Sequence, residues 1–262
     1  MSAPIVFDRN IYAMRRLKAA RVGGASFLLR QAADNLAERL SAANGRFPRA
    51  LDLGSRAESF AILSPFADRW VRTSMAPDVG GASIVIDEEA LPFAMGSFDL
   101  VTSVLILHGV NDLPGVLIQL RRALAPGGFF LAALFGGATL GELRRAFAAG
   151  EAETAGGASP RVAPFADVRD LGGLLQRAGF ADPVADVEST GVRYRSFATL
   201  ADDLRTLGET NALAQRQRRF LTRGVLAAAL RHYAAADSDS EGRLCATFDV
   251  IYLTGRAARA NR

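Results

Sequence analysis

The side chains able to do chemistry collect just past the ends of short apolar runs. Asp52 and Gly54 close the run Leu51-Asp52-Leu53-Gly54, Ser74 ends Arg69–Ser74, and Asp87 with Glu88 ends Ser83–Asp87. Ser103, Leu105, His108 and Asn111 follow Phe98–Ser103, while Gly136, Gly137 and Thr139 follow Gly128–Leu134. A carboxylate or hydroxyl beyond a strand, beside a glycine that lets backbone come close, suits the binding of a polar small molecule. Other chemistries find no support. Lys18 is the only lysine, which leaves Schiff-base catalysis and a P-loop lysine nearly excluded. His108 and His232 are far apart and lack a carboxylate at ligand spacing, so no metal site is expected. No nucleophile elbow or Ser-His-Asp arrangement is present. His108 lies in an apolar stretch, where a satisfied core histidine is the commoner outcome than a base.

The elements that must position these residues alternate. Strands are expected at Ala50–Gly54, Arg69–Ser74, Ser83–Asp87, Phe98–Ser103 and Gly128–Leu134, with helices at Ala57–Ser64 and Leu113–Leu124 between them. Asp112 before Pro114 reads as an N-cap. Such alternation predicts an α/β fold, a doubly wound, mostly parallel seven-stranded sheet. Residues 8 to 40 read as one helical stretch ended by Asn44-Gly45. In the second half, a helix is expected over Val168–Ala178, a strand over Pro183–Val192, helices over Leu200–Leu207 and Leu221–Tyr233, and a last strand over Ala246–Leu253. Gly150–Pro164, rich in Ala, Gly and Pro, reads as a flexible loop at a lid position. The organisation expected is an N-terminal helical segment (1–45), an α/β core (46–190), and a helical insertion plus final strand (191–262) completing the same domain.

Half of the 262 residues are hydrophobic, enough for a sizeable core, yet no run approaches the roughly 18 apolar residues of a membrane span. No signal-peptide pattern opens the chain, and the single Cys245 allows no internal disulfide, which gives a cytoplasmic expectation. The net charge of +4 is modest, and nucleic-acid binding is not expected. Arg216, Arg218, Arg219 and Arg223 form a local basic cluster, read as a solvated face.

The segments "LDLG", "VIDEEALPFAMGSFDLV", "HGVNDLP" and "LFGGATLGELR" resemble the class I S-adenosylmethionine-dependent methyltransferases. With "VFDRN", "SPRVAPFADVRDLGGLLQRAGF" and "DDLRTLGETNAL", the resemblance narrows to the methyltransferase-like assembly factors of respiratory complex I, which modify a protein arginine. It covers nearly the whole chain. It implies S-adenosylmethionine as cofactor, with Asp52 and Gly54 at its methionine end, Asp87 and Glu88 at the adenine, and Ser103 and Leu105 near the reactive methyl group. Ser74 stands where the family has an acidic residue for the ribose, with Asp78 as a substitute should its loop bend back. Leu105, His108, Asn111, Gly136, Gly137 and Thr139 would face the substrate, and the implied partner is a protein such as a complex I subunit.

Departures from the family pattern cluster at the same site. The glycine-rich turn keeps only Gly54; Arg56 and Glu58 replace the next two glycines, and Ala138 replaces an acidic residue. A side chain at position 56 either fills cofactor space or forces another turn. Two outcomes stay open: an active enzyme of this family, or a catalytically inactive assembly or binding factor on the same fold.

Overall fold

The computed structural model describes residues 4–23, 26–43, 45–77, 81 and 84–259, except for the side chain of Ala155. Seven strands form one sheet in the order β3-β2-β1-β4-β5-β7-β6. They are β1 (Phe47–Leu53), β2 (Ala67–Ser74), β3 (Ile84–Val85), β4 (Phe98–Val104), β5 (Leu124–Phe135), β6 (Ala181–Tyr194) and β7 (Leu244–Arg256). The first five strands pair in parallel, and β7 slots antiparallel between β5 and β6. The doubly wound, mostly parallel sheet is thus as expected.

Because parallel strands bury both faces, alternate residues of one strand serve two cores. In β5, Phe129, Leu131, Ala133 and Phe135 join one cluster, while Phe130, Ala132 and Leu134 join the other. Helices α2 (Phe27–Ala42), α3 (Ala57–Leu63), α5 (Gly141–Ala155), α7 (Phe197–Leu207) and α8 (Arg223–Ala236) cover the first face. Helices α4 (Leu113–Ala123) and α6 (Val168–Arg177) cover the second. The stripe Leu28, Leu29, Ala32, Ala33, Leu36 and Leu40 of α2 is fully buried, and each such leucine contributes roughly 1.5–3 kcal/mol. Asp112 caps α4 by accepting from Gly115 N, with Pro114 in the first turn.

Three expectations need correction. The stretch 8–40 is two helices, α1 (Arg9–Val22) and α2, because Gly23 turns the chain at φ 70° and Ser26 starts again as an N-cap. Gly150–Pro164 is not a loop throughout, since α5 continues to Ala155. Gly150 lies inside it because a Cβ there would meet the Ala229 backbone of α8 at 2.5 Å. The third strand is shortened to Ile84–Val85; Asp87 lies beyond it, and Asp78, Ser83 and Asn44 lie outside the described residues.

Helix α1 belongs to neither layer. It packs on α7 and lies over the carboxyl edge near β1 and β4, where the direction of winding reverses. Among the described residues, no helix is long and apolar enough to cross a membrane.

Candidate functional site at the carboxyl edge

At the reversal point between β1 and β4, the rule for open sheets places a ligand crevice. Gly54 makes the turn out of β1 at φ 71°, and a Cβ there would lie 2.3 Å from Ile106 Cγ1. Just before it, Asp52 is buried, and its Oδ1 accepts from the Thr102 hydroxyl at 3.2 Å. Its Oδ2 has no hydrogen-bond partner among the described residues. Burial raises the Asp52 carboxyl to about 6, opposed by the Ser55 and Thr102 hydroxyls and the charge of Arg72.

Where the glycine-rich turn is eroded, the chain takes another course. Arg56 is extended at φ −123° and is the residue before α3. Its buried guanidinium donates to the carbonyls of Leu207 (3.1 Å) and Thr206 (3.2 Å), so it ties the turn to the end of α7. Burial, with Arg16 nearby, lowers it to about 10 even though Glu58 opposes.

The remaining space is taken by α1. Arg9 pairs with Glu88, with Asp87 at 3.1 Å and with Glu89 at 3.6 Å. Burial pushes the Glu88 carboxyl above its ordinary value despite Arg9. Arg16 Nη1 donates to the Leu105 carbonyl at 3.1 Å and to Glu209 Oε1 at 3.0 Å. Leu105 holds φ at 52°, a left-handed conformation that costs a non-glycine residue roughly 1–2 kcal/mol. Its N–H donates to Ala133 O at 2.8 Å. Two glycines let α1 come this close: a Cβ on Gly109 would meet Tyr12 Cζ at 2.5 Å, and one on Gly208 would meet Arg16 Cα at 3.1 Å.

The consequence is a hollow of about 10 Å³, walled by Ala13, Arg16, Gly54, Ser74, Glu88 and Ile106. A single water needs roughly 10–15 Å³, and drug-sized ligands occupy pockets of roughly 300–1,000 Å³. As the described residues draw it, this hollow is smaller than an adenosyl nucleoside. The carboxylates that would receive it are held by Arg9 instead.

A second, larger cavity of about 200 Å³ opens on the other side of Tyr12 and His108, under α5 and α7. Leu143, Phe147, Phe165, Phe197 and Leu204 make its walls apolar. The polar corner is Glu209, which accepts from the Tyr12 hydroxyl (3.1 Å) and from Arg16. Its Oε2 lies 3.0 Å from His108 Nε2. Phe135 N–H donates to His108 Nδ1 at 3.3 Å, so in the neutral ring Nε2 carries the proton, close to Glu209 but not aligned for a hydrogen bond to it. Burial alone would raise the Glu209 carboxyl, but His108, Arg16 and Tyr12 together outweigh it and leave it below the ordinary value. The Tyr12 phenol is raised by burial and by Glu209.

The residues singled out in the sequence therefore separate. Gly54, Ser74 and Glu88 share the small hollow, with Asp52 just behind Gly54. Asp87 is half exposed and turned to Arg9 and to Glu89 N. Ser103 is buried and donates to Leu53 O at 3.3 Å. Of the substrate-side set, His108 lines the large cavity. Asn111 instead clamps the segment before α1, accepting from Val6 N and Phe7 N at 2.8 Å and donating to Phe7 O. Gly136 packs against Ile251, and Thr139 exchanges hydrogen bonds with the Asp249 backbone, so both secure the turn to β7. Gly137, between them, has only the Phe165 and Ala166 carbonyls near its Cβ direction. Sequence reasoning missed Arg9, Tyr12, Arg16 and Glu209. The first three follow helical spacing on α1, and Glu209 sits directly after Gly208, which caps α7 at φ 80°.

Sheet order, a strand-end glycine turn and an acidic residue before it define a class I methyltransferase fold. A methyltransferase-domain family model matches residues 51–132. The chain is 35% identical to the human mitochondrial arginine-hydroxylase NDUFAF5, over 95% of this chain and 76% of that one. It is 36% identical to a malonyl-[acyl-carrier protein] O-methyltransferase of Halorhodospira halophila, over 89% and 82%. Among solved structures, YcgJ of Bacillus subtilis superposes with a TM-score of 0.59 at 14% identity, covering 87% of this chain and 99% of that one. The [4+2]-cyclase SpnF superposes with a TM-score of 0.54 at 17% identity over 99% of each chain. The chain belongs to the S-adenosylmethionine-dependent methyltransferase family, close to the NDUFAF5 arginine-hydroxylases.

Proposed function

We propose that this protein receives an arginine side chain of a protein partner in the 200 Å³ cavity, for modification during assembly of a respiratory complex such as complex I. The observation that carries this reading is the Glu209 carboxylate, its side chain 10% exposed, at the end of an apolar, aromatic cavity. A guanidinium is planar, always charged, matches a carboxylate and stacks on aromatic faces. Glu209 already accepts one guanidinium, that of Arg16, and Phe147, Phe165 and Phe197 supply aromatic surface for the stem of another. The volume suits one side chain better than a whole small-molecule ligand. The arginine-hydroxylase name of relatives at 35% identity supports the same substrate class.

The test is mass spectrometry of respiratory subunits from cells with the gene, without it, and with Glu209→Gln. One arginine-bearing peptide is expected to change mass only with the intact gene. If no arginine differs between the strains, the reading fails.

A second reading is favoured by the closed hollow: a binding or assembly factor with weak affinity for S-adenosylmethionine and no turnover. It predicts that complex assembly needs the gene while every arginine in the subunits keeps its mass.

A further inference from the structure

The mouth of the large cavity is not neutral. Arg161 and Asn211 line both that cavity and an open basin beside it of about 630 Å³. Arg15, Arg216 and Arg218 line the rest of the basin, with Asp8 as its acidic residue. Two of these four arginines are neutralised within the chain. Arg216 pairs with Asp8 at 3.1 Å, and Arg161 pairs with Glu151 behind it. The other two, Arg15 and Arg218, have no ion-pair partner among the described residues. Arg15 Nη1 is buried without any hydrogen bond. Burial, and then the neighbouring Arg216, lower the Arg15 guanidinium, with Asp8 and Glu209 opposing. Arg218 and Arg219 are exposed, and directly after them Phe220 is 98% exposed. Arginine and aromatic side chains are the types enriched where proteins meet.

We propose that this basin docks an acidic segment of the protein substrate, lying next in sequence to the side chain that enters the cavity. The inference rests on the reading of the cavity as an arginine site. Charge complementarity selects the occupant. A segment bearing Asp or Glu meets the two arginines left over, whereas a basic flank would be repelled. Concavity selects it further, because carboxylate side chains reach the floor of a basin that a flat membrane spans. Continuity through Arg161 and Asn211 puts the docked segment within a few residues of the cavity mouth.

The experiment uses fluorescence anisotropy with the full chain and three labelled peptides. One carries a single arginine between two pairs of acidic residues, one has serines for the acids, and one has alanine for the arginine. The acidic arginine peptide should bind at least about tenfold more tightly than its serine twin, with the gap shrinking as salt rises. The double variant Arg15→Gln with Arg218→Gln should erase the gap and leave the serine twin unchanged. Neither residue has an ion-pair partner to lose, so folding should survive, which the melting temperature checks. Equal affinity for the first two peptides, or a gap unaffected by the glutamines, overturns the docking surface. So does stronger binding of an oligonucleotide or of phosphatidylglycerol vesicles that the glutamines abolish. If the alanine peptide binds as well as the arginine one, the basin stands and the arginine cavity falls. If the serine twin binds in a Glu209-dependent way without any preference for acids, the cavity stands and the basin falls.

Discussion

Arg16 and Glu209 join the two cavities of the carboxyl edge: Arg16 Nη1 lies 3.0 Å from Glu209 Oε1, and the other carboxylate oxygen lies 3.0 Å from His108 Nε2. One guanidinium thus closes the hollow at Gly54 while balancing the acid at the end of the aromatic cavity. Both side chains are almost fully buried, at 7% and 10% exposure. Within this geometry, a change at one cavity is felt at the other through a shared charge.

Removing Arg16 should therefore have two effects. Arg16→Ala leaves Glu209 buried with less compensation, a change that costs about 3 kcal/mol. Glu209→Gln in the same chain should restore much of it in a double-mutant cycle read by urea unfolding. The variant also widens the hollow. Calorimetry with S-adenosylhomocysteine should show no heat for the native chain near millimolar ligand and measurable binding for Arg16→Ala. Tight binding by the native chain would show that α1 does not close the site.

Asp52 sets a pH dependence. Its folded carboxyl titrates near 6 against an ordinary 3.8, so the folded state holds its proton more tightly than the unfolded state. The stabilisation is complete below pH 4 and is lost as the pH rises through about 6. Two units correspond to about 3 kcal/mol. Asp52→Asn should flatten unfolding free energy between pH 4 and 7 and leave the protein more stable than native at pH 7. A variant with the native slope over that range would mean that another group carries it.

Much of this architecture was legible. Alternating apolar runs and the Asp112 cap follow from local pattern, and the parallel sheet follows from them. The site was less so. Asp52, Gly54 and Glu88 are visible as strand-end residues, but their present neighbours come from α1 and from the end of α7, which are remote in sequence. Nothing in the local spacing of Arg9 says that it reaches across 79 residues to Glu88. Asn111 likewise looked like a pocket residue because its partners, Val6 and Phe7, are more than 100 residues away. Helix α5 was missed because Gly150 and the Gly156-Gly157 pair punctuate its end, although its alanines favour a helix. There the packing against α8, which needs Gly150, decides what propensity does not.

Position 56 offers a sharp contrast. A missing glycine suggests that Arg56→Gly should repair the turn. The structure argues the opposite, since Arg56 is extended and its two hydrogen bonds hold the end of α7. Charged hydrogen bonds contribute roughly 1.5–3 kcal/mol each, so Arg56→Gly should lose about 3 kcal/mol and gain no affinity for S-adenosylhomocysteine. Melting temperature and calorimetry on the one variant read both halves. A gain in binding without loss of stability would return the turn to the family's usual role.

Gly54 is the residue on which the turn depends sterically. Its φ of 71° disfavours any side chain, and a Cβ would press on Ile106 Cγ1 at 2.3 Å and Cδ1 at 2.6 Å. Gly54→Ala should then destabilise by about 2 kcal/mol or more, as overpacking and backbone strain add. Ile106→Ala removes the two closest atoms and leaves Ile106 Cβ at 3.0 Å, and it carries its own cavity cost of roughly 2–5 kcal/mol. In that background the penalty of Gly54→Ala should fall towards the backbone part of about 1 kcal/mol, with the contact to Cβ of residue 106 left over. The urea midpoint should report this shift with an unchanged denaturant slope. An equal penalty in both backgrounds would place the whole cost in the backbone and none in the contact with Ile106.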